Sequence, residues 1–273
     1  MFNGTGKRAE RGAEADAPEI TDAPPKTPEF PLFFSKPSVI NSERHARAGI
    51  RANLPPTFAR ATNSIPLTVG EFIEAAKYYP VVFTGNDPVM PVVIVGLEQN
   101  NYFVGQDGKW RENTYIPAYV RKYPFVFMET PGSDQLTLCI DEGAPQFTAR
   151  AEGDDTPLYE AGKPSAFTRN ALAFCTAFQE QHALTRQFCS KLKELNLLAP
   201  NRSDAKLDTG RMIQLGGFQV IDQEKLGRLP GDTIGELHKQ GWLPLMYYAL
   251  LSTSSWRNLV NLAAESERKN ESD

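Results

Sequence analysis

Two stretches of the chain place apolar and polar residues in the same frame. SIPLTVGEFIEAAKYYPVVF starts at Ser64, and YIPAYVRKYPFVF starts at Tyr115. In the first, Thr68 and Glu71 stand at capping-box spacing ahead of a short amphipathic helix reaching Lys77. The second repeats the frame in shorter form. Ile116-Pro117 matches Ile65-Pro66, a helical turn or two follows, and Tyr123-Pro124 matches Tyr79-Pro80. Each Tyr-Pro opens an apolar run, then a polar turn (TGNDPVM, ETPGSDQ), then a second apolar run, PVVIVGLE or LTLCIDE. Each copy predicts helix, strand, turn, strand, and the strands of both copies are expected in one sheet. A proline at a strand entrance keeps its predecessor extended and offers no amide, which suits that position. Between the copies, YFVGQDGKWR predicts a hairpin turning at Asp107-Gly108.

After a polar connection over 149–164 the period becomes that of a helix. Phe167, Ala171, Phe174, Phe178, Phe188, Leu192 and Leu195 follow a 4-3 spacing, with Gln181 and Thr185 in the two remaining slots. This predicts one long helix from Ser165 to Leu195, with a core-facing stripe and a stop near Pro200. RMIQL and FQVID flank Gly216-Gly217 and predict a hairpin there. Asp232 is expected to cap a short helix ending at Gly241, and Pro244 to open a last helix through about Ala264. The class is α+β: a strand-rich N-terminal half with duplicated helix–strand–strand units, then a helix-rich half with one long helix and a small hairpin.

The ends have another character. Residues 1–28 are rich in Ala, Glu, Asp and Pro and hold almost no large apolar side chain. Such a segment cannot offset the entropy of ordering it, so a disordered tail is expected. The segment 265–273 is expected to behave alike, leaving one domain over 29–264. At the boundary EFPLFFS abruptly presents Phe30, Leu32, Phe33 and Phe34. Four such residues in water are a liability. The segment is expected to dock on the body, at a sheet edge or in an apolar groove; the alternative is a partner-binding motif.

Composition narrows the function. The 41% hydrophobic content supports a sizeable core. The net charge of −4 and scattered basic residues lack the stripe that phosphate binding needs, so no nucleic-acid partner is expected. No run approaches the ~18 apolar residues of a spanning helix. MFNGTGKRAERGAEADAPE has no apolar h-region, so no signal peptide is expected. With Cys139, Cys175 and Cys189 alone, a disulfide framework is not expected and a reducing cytoplasm is the default. Export by another route stays open.

Candidate chemistry is sparse. Cys175, His182 and Cys189 lie seven apart on the long helix. Seven residues rise ~10.5 Å, whereas ligands of one zinc lie within ~2.0–2.3 Å of the ion. These three cannot share a metal, and neither metal nor cofactor is expected. No Cys-x-x-Cys, His-Glu-x-x-His, phosphate loop, Gly-x-Gly-x-x-Gly or Gly-x-Ser-x-Gly occurs. His45, in NSERHARAG, and the strand-closing Asp141 and Glu142 are the residues that acid–base work would use if the fold joined them; Asp107 is the further acidic candidate. Their plainer roles are a structural hydrogen bond for His45 and a cap on the following turn or helix for Asp141 and Asp222. Tyr79, Trp110, Tyr115, Tyr119 and Tyr123 suit either the aromatic wall of a binding groove or half-buried sheet positions.

Taken in order, ERHARAGIR, IPLTVGEFIEAAKYYPVVF, YIPAYVRKYPFVF, LTLCIDE, LGGFQVIDQEKL and ELHKQGWLPLMYYALLS resemble the bacterial SapC family, from about Ile40 to Leu262. That family is named for an association with paracrystalline surface-layer proteins. Many members look like soluble proteins encoded near TonB-dependent outer-membrane receptors and flavin-dependent tryptophan halogenases. The resemblance brings no catalytic residue set. It implies a non-enzymatic binding or accessory protein with a protein or peptide partner, serving surface-layer or outer-membrane uptake systems. The alternative is an enzyme acting on a peptide or small molecule, beside a halogenase, with His45 and an acidic residue. The two part on whether His45 meets Asp141 or Asp107 in a closed pocket.

Overall fold

The computed structural model describes residues 30–129, 136–207 and 210–270. The tail 1–28, the turn over 130–135 and residues 271–273 lie outside them. The chain divides into Met1–Pro31 and Leu32–Asp273. Phe30 and Pro31 are the described residues of the first unit, and the fold is that of the second.

Short apolar runs punctuated by proline make short strands. In chain order these are β1 (Pro37–Val39), β2 (Gly49–Ile50), β3 (Ser64–Pro66), β4 (Val81–Thr84), β5 (Pro91–Ile94), β6 (Phe125–Glu129) and β7 (Leu136–Asp141). The two-residue strands β8 (Phe147–Thr148), β9 (Thr156–Pro157), β10 (Tyr159–Glu160) and β11 (Lys163–Pro164) precede a long pair, β12 (Leu198–Lys206) and β13 (Met212–Ile221). The helices are α1 (Phe72–Ala75), α2 (Ala118–Arg121), α3 (Ala166–Glu194), α4 (Gln223–Gly227), α5 (Gly231–Lys239), α6 (Trp242–Ser252) and α7 (Trp256–Asn270). The protein is α+β, as its sequence implies.

Both copies of the repeated frame keep the order helix, strand, strand: α1–β4–β5 and α2–β6–β7. They do not share a sheet. β4 and β5 lie in a five-stranded sheet of order β12-β13-β4-β5-β3, and β6 and β7 in a three-stranded sheet of order β1-β7-β6. The reason lies in the third strand. Ser64–Pro66 of the first copy folds back onto β5, whereas the matching Ile116-Pro117 forms no strand. The edge of β7 is taken instead by β1, from the start of the second unit. Each hairpin thus gains an antiparallel neighbour on its second strand, from a different part of the chain.

The long helix follows its pattern. Ser165 caps it, its hydroxyl oxygen accepting from the Thr168 N–H at 3.2 Å, and Asn196 ends it in a left-handed conformation, φ 51°. Its stripe serves two cores. Phe167, Ala171 and Cys175 pack with Phe125, Ile140 and Leu158 beneath the small sheet. Phe178, Phe188 and Leu192 join the main core with Phe72, Tyr79, Phe83 and Leu197.

The second half departs from expectation in four places. Gly216-Gly217 is no turn. β13 runs through it, and the hairpin closes where the Leu207 N–H donates to the Arg211 carbonyl at 2.9 Å. The glycines face a bulge instead: Asn201 pairs Phe218 and Ser203 pairs Leu215, leaving Arg202 opposite both, with Gly217 at φ 81°. Asp232 lies in the first turn of α5, whose cap position is Pro230. The last helix is two helices, broken at Thr253–Ser255, where Ser252, Thr253 and Ser254 each donate a hydroxyl to the carbonyl three residues back. Finally, the segment from 265 is helical through Asn270, with Glu265 and Glu267 reaching Arg111 and Arg211.

The Asp107-Gly108 turn forms as read. Val104 bridges Trp110, the Gly105 N–H donates to the Lys109 carbonyl, and Gly108 takes φ 78°.

Candidate functional site

β7 ends with its side chains turning inward, and Asp141 is its last residue, fully buried. Its carboxylate accepts from the backbone N–H groups of Lys36 at 2.6 Å, Ser35 at 3.1 Å and Gly143 at 3.1 Å, and from the Tyr123 hydroxyl at 3.0 Å. The Gly143 bond is the turn cap expected of Asp141. The bonds to Ser35 and Lys36 clamp a segment more than a hundred residues earlier in the chain, just before β1 adds to the sheet edge.

That clamp seats the apolar segment. Phe33 meets Phe58 edge-on at 5.1 Å, Phe34 meets Tyr123 at 5.1 Å, and Phe58 lies 4.1 Å from Tyr123. The Tyr119 hydroxyl donates to the Leu32 carbonyl at 3.2 Å. Within Leu32–Phe34 it is the two phenylalanines that fill the groove, while the Leu32 side chain stays exposed.

Beneath Phe34 lies Lys122, which caps the C-terminus of α2 and is 6% exposed. Its ammonium nitrogen stands 4.3 Å from the ring centre of Tyr119, 4.7 Å from that of Phe34 and 5.5 Å from that of Phe178. Rings present a negative face to a cation. Among the described residues no carboxylate pairs with Lys122. Burial pulls its pKa down to about 8. Cys175 and His182, one turn to either side of Phe178 on α3, are shifted by burial too. The thiol is pushed up to about 11, and the imidazole is lowered, with Arg186 and Lys122 adding to the effect. The neighbouring Arg121 points outward over Tyr115 and Phe174.

His45 is buried and does meet a carboxylate, that of Glu142. Its Nδ1 accepts from the Asn41 N–H at 3.1 Å, which leaves the proton on Nε2, 3.3 Å from Glu142 Oε1 but off-line for a hydrogen bond. Arg44 at 2.7 Å and Lys36 at 3.1 Å complete the cluster. Burial alone would raise the Glu142 pKa; Lys36 and Arg44 outweigh it and hold the carboxyl below its usual range. Asp141 is not the partner, because successive side chains at a strand end point to opposite faces. Nor is Asp107, which is exposed at the hairpin turn and accepts from the Lys109 N–H.

The aromatic residues are held inside the fold. Trp110, Tyr119 and Tyr123 are buried and Tyr115 is half-buried. Trp110 Nε1 donates to the Tyr79 hydroxyl at 3.3 Å, and Tyr79 donates to the Tyr115 carbonyl. The Tyr115 hydroxyl donates to Glu71 at 3.0 Å. Glu71, buried, also accepts from the N–H and hydroxyl of Thr68 and from the Ala118 N–H at 2.6 Å. One capping-box carboxylate therefore ties the helical turn of the first copy to that of the second. A cleft of 260 Å³ opens between Arg60, Asn101, Tyr102, Arg111, Leu262 and Glu265, away from all these residues.

Sequence reasoning passed over Lys122 and over Glu71 as more than a cap. Lys122 lies in the repeated word itself, RKYP, but only the fold shows what covers it. Among the described residues no three His, Cys, Asp or Glu side chains gather to hold a metal, and no helix is long and apolar enough to cross a membrane.

No curated protein and no solved structure matches the chain. A family model described as SapC matches residues 40–259, starting just beyond β1 and ending inside α7. With that match spanning most of its length, the chain belongs to the SapC family.

Proposed function

We propose that this protein is a non-enzymatic binding or accessory protein, engaging a protein or peptide partner in bacterial surface-layer or outer-membrane uptake systems. The observation that carries the binding role is α6, WLPLMYYALLS, eleven residues without a charge. One face is anchored: Met246, Ala249 and Ser252 are buried, and the Ser252 hydroxyl accepts from the Val81 N–H at 2.8 Å. The other face leaves Tyr247 51% and Leu251 67% exposed, one turn apart, beside exposed Pro244. A helix apolar all round is ordinarily buried on all sides, and an exposed apolar stripe marks a contact surface. The buried carboxylates Asp141 and Glu71 support the same reading, since each is engaged by backbone N–H and hydroxyl donors that hold the fold.

The alternative, an enzyme acting on a peptide or small molecule beside a halogenase, would rest on the His45–Glu142 pair. Its imidazole is 1% exposed and has Asn41 and Glu142 on its two nitrogens, which leaves no ring edge for a substrate.

The test is capture of partners from the native cell by the tagged full chain and by a Tyr247→Ser/Leu251→Ser variant of matched melting temperature. Proteins retained by the wild type and lost by the variant are expected. The same proteins on both, or none on the wild type, would defeat the assignment.

A further inference from the structure

An ammonium group taken out of water ordinarily brings a carboxylate with it. Lys122 brings three aromatic rings instead. Two of these walls belong to the body, Tyr119 on α2 and Phe178 on α3. The third, Phe34, belongs to the segment clamped by Asp141. That segment is held by separable hydrogen bonds, and it enters through Phe33 at φ 77°, a left-handed conformation that costs an aromatic L-residue energy. Withdrawing Phe34 would leave a slot the width of one aromatic ring beside the Lys122 nitrogen.

We propose that Lys122 is a carbonyl-reactive amine kept beneath the 32–36 segment, and that its ligand is an aromatic aldehyde whose ring takes the place of Phe34. The neutral amine adds its lone pair to the carbonyl carbon, and the carbonyl oxygen takes up a proton. The resulting carbinolamine loses its hydroxyl and the remaining nitrogen proton as water. Amine and aldehyde thus give imine and water, with no oxidant or reductant. No anionic group beside it fixes the nitrogen in its charged form, which only the ring faces attract. Cys175 holds its proton, burial keeps the Tyr119 hydroxyl protonated, and His182 and the nearby Arg121 and Arg186 bring no negative charge. With burial drawing its pKa down to about 8, Lys122 holds a larger neutral fraction near pH 8 than the ~0.4% of an ordinary lysine. A desolvated lysine in an apolar pocket is an activated nucleophile.

The experiment incubates the full chain at pH 8 with benzaldehyde and cyanoborohydride, which reduces any imine to a stable secondary amine. Peptide mapping then follows Lys122 against the exposed Lys77 and Lys109. In a Phe34→Ala variant, Lys122 is expected to be modified roughly tenfold or more faster than either exposed lysine. In the wild type it is expected to react more slowly than in the variant, because the segment must first open. Should Phe34→Ala melt below the assay temperature, Phe34→Leu serves, with an intermediate rate expected. Modification of Lys122 no faster than that of Lys77 in a folded variant would overturn the proposal. So would equal rates at Lys122 in wild type and variant.

Discussion

Replacing Asp141 by asparagine tests whether its carboxylate clamps the 32–36 segment. The side chain keeps its size, but one oxygen becomes an NH2 group. Oδ1 faces the N–H groups of Lys36 and Gly143, and Oδ2 faces the Ser35 N–H and the Tyr123 hydroxyl. Whichever way the amide turns, its NH2 meets at least one backbone N–H donor, leaving that donor without an acceptor at a cost of ~1–3 kcal/mol. The bonds that survive lose their charge assistance, so a total near 3 kcal/mol is expected. The same substitution is then made in a chain lacking residues 1–36. The Ser35 and Lys36 donors are gone, and the NH2 can turn to the vacated side and donate to the Tyr123 oxygen. The cost there should fall to about 1 kcal/mol, a coupling of roughly 2 kcal/mol. A chain lacking only 1–28 serves as control and should show the full cost. Urea denaturation of the four proteins and of the control pair, with and without the substitution, closes the cycle. Equal costs in the two backgrounds, within ~0.5 kcal/mol, would show that Asp141 supports the local turn alone and that the clamp is incidental.

The remaining expectations concern the buried framework. Glu71→Ala removes the acceptor shared by Thr68, Tyr115 and Ala118 and should cost about 3 kcal/mol or more in urea; a cost below ~1 kcal/mol would mean that the link between the two copies is solvated. Phe188, fully buried against Phe72 and Phe83, should lose ~3–5 kcal/mol on truncation to alanine. The half-buried Phe178 should lose clearly less, and the reverse order would misplace the core. Burial raises the thiol pKa values, Cys175 to about 11 and Cys189 to about 12. A disulfide reagent at pH 8 should therefore titrate them slowly in the native chain and at once in denaturant, and rapid native reaction of either would contradict the packing.

Local order is where the chain spells itself out. The capping box at Thr68 and Glu71, the turn at Asp107-Gly108, the Ser165-led stripe of α3 and the Tyr-Pro entrances to β4 and β6 all depend on neighbours within a few positions. So does the family likeness, carried by the order of short words. Where a residue's role is set by a distant partner, the pattern is silent or misleading. Gly216-Gly217 is a turn signal by composition, yet opposite Arg202 it accommodates a bulge in a strand whose partner, LAPNRSDAK, shows little apolar alternation. The two Tyr-Pro hairpins look alike but sit in different sheets, because β3 returns to one and β1 arrives at the other. Asp141 and Glu142 are adjacent letters with opposite fates, one buried under Ser35 and Lys36, the other joined to His45, Arg44 and Lys36. Lys122 reads as a surface charge in RKYP until Phe34, Tyr119 and Phe178 close over it from three separate segments. Propensity and capping act over one turn of backbone, and the sequence displays them directly; burial and charge pairing are sums over segments far apart in the chain, and only the folded arrangement supplies their terms.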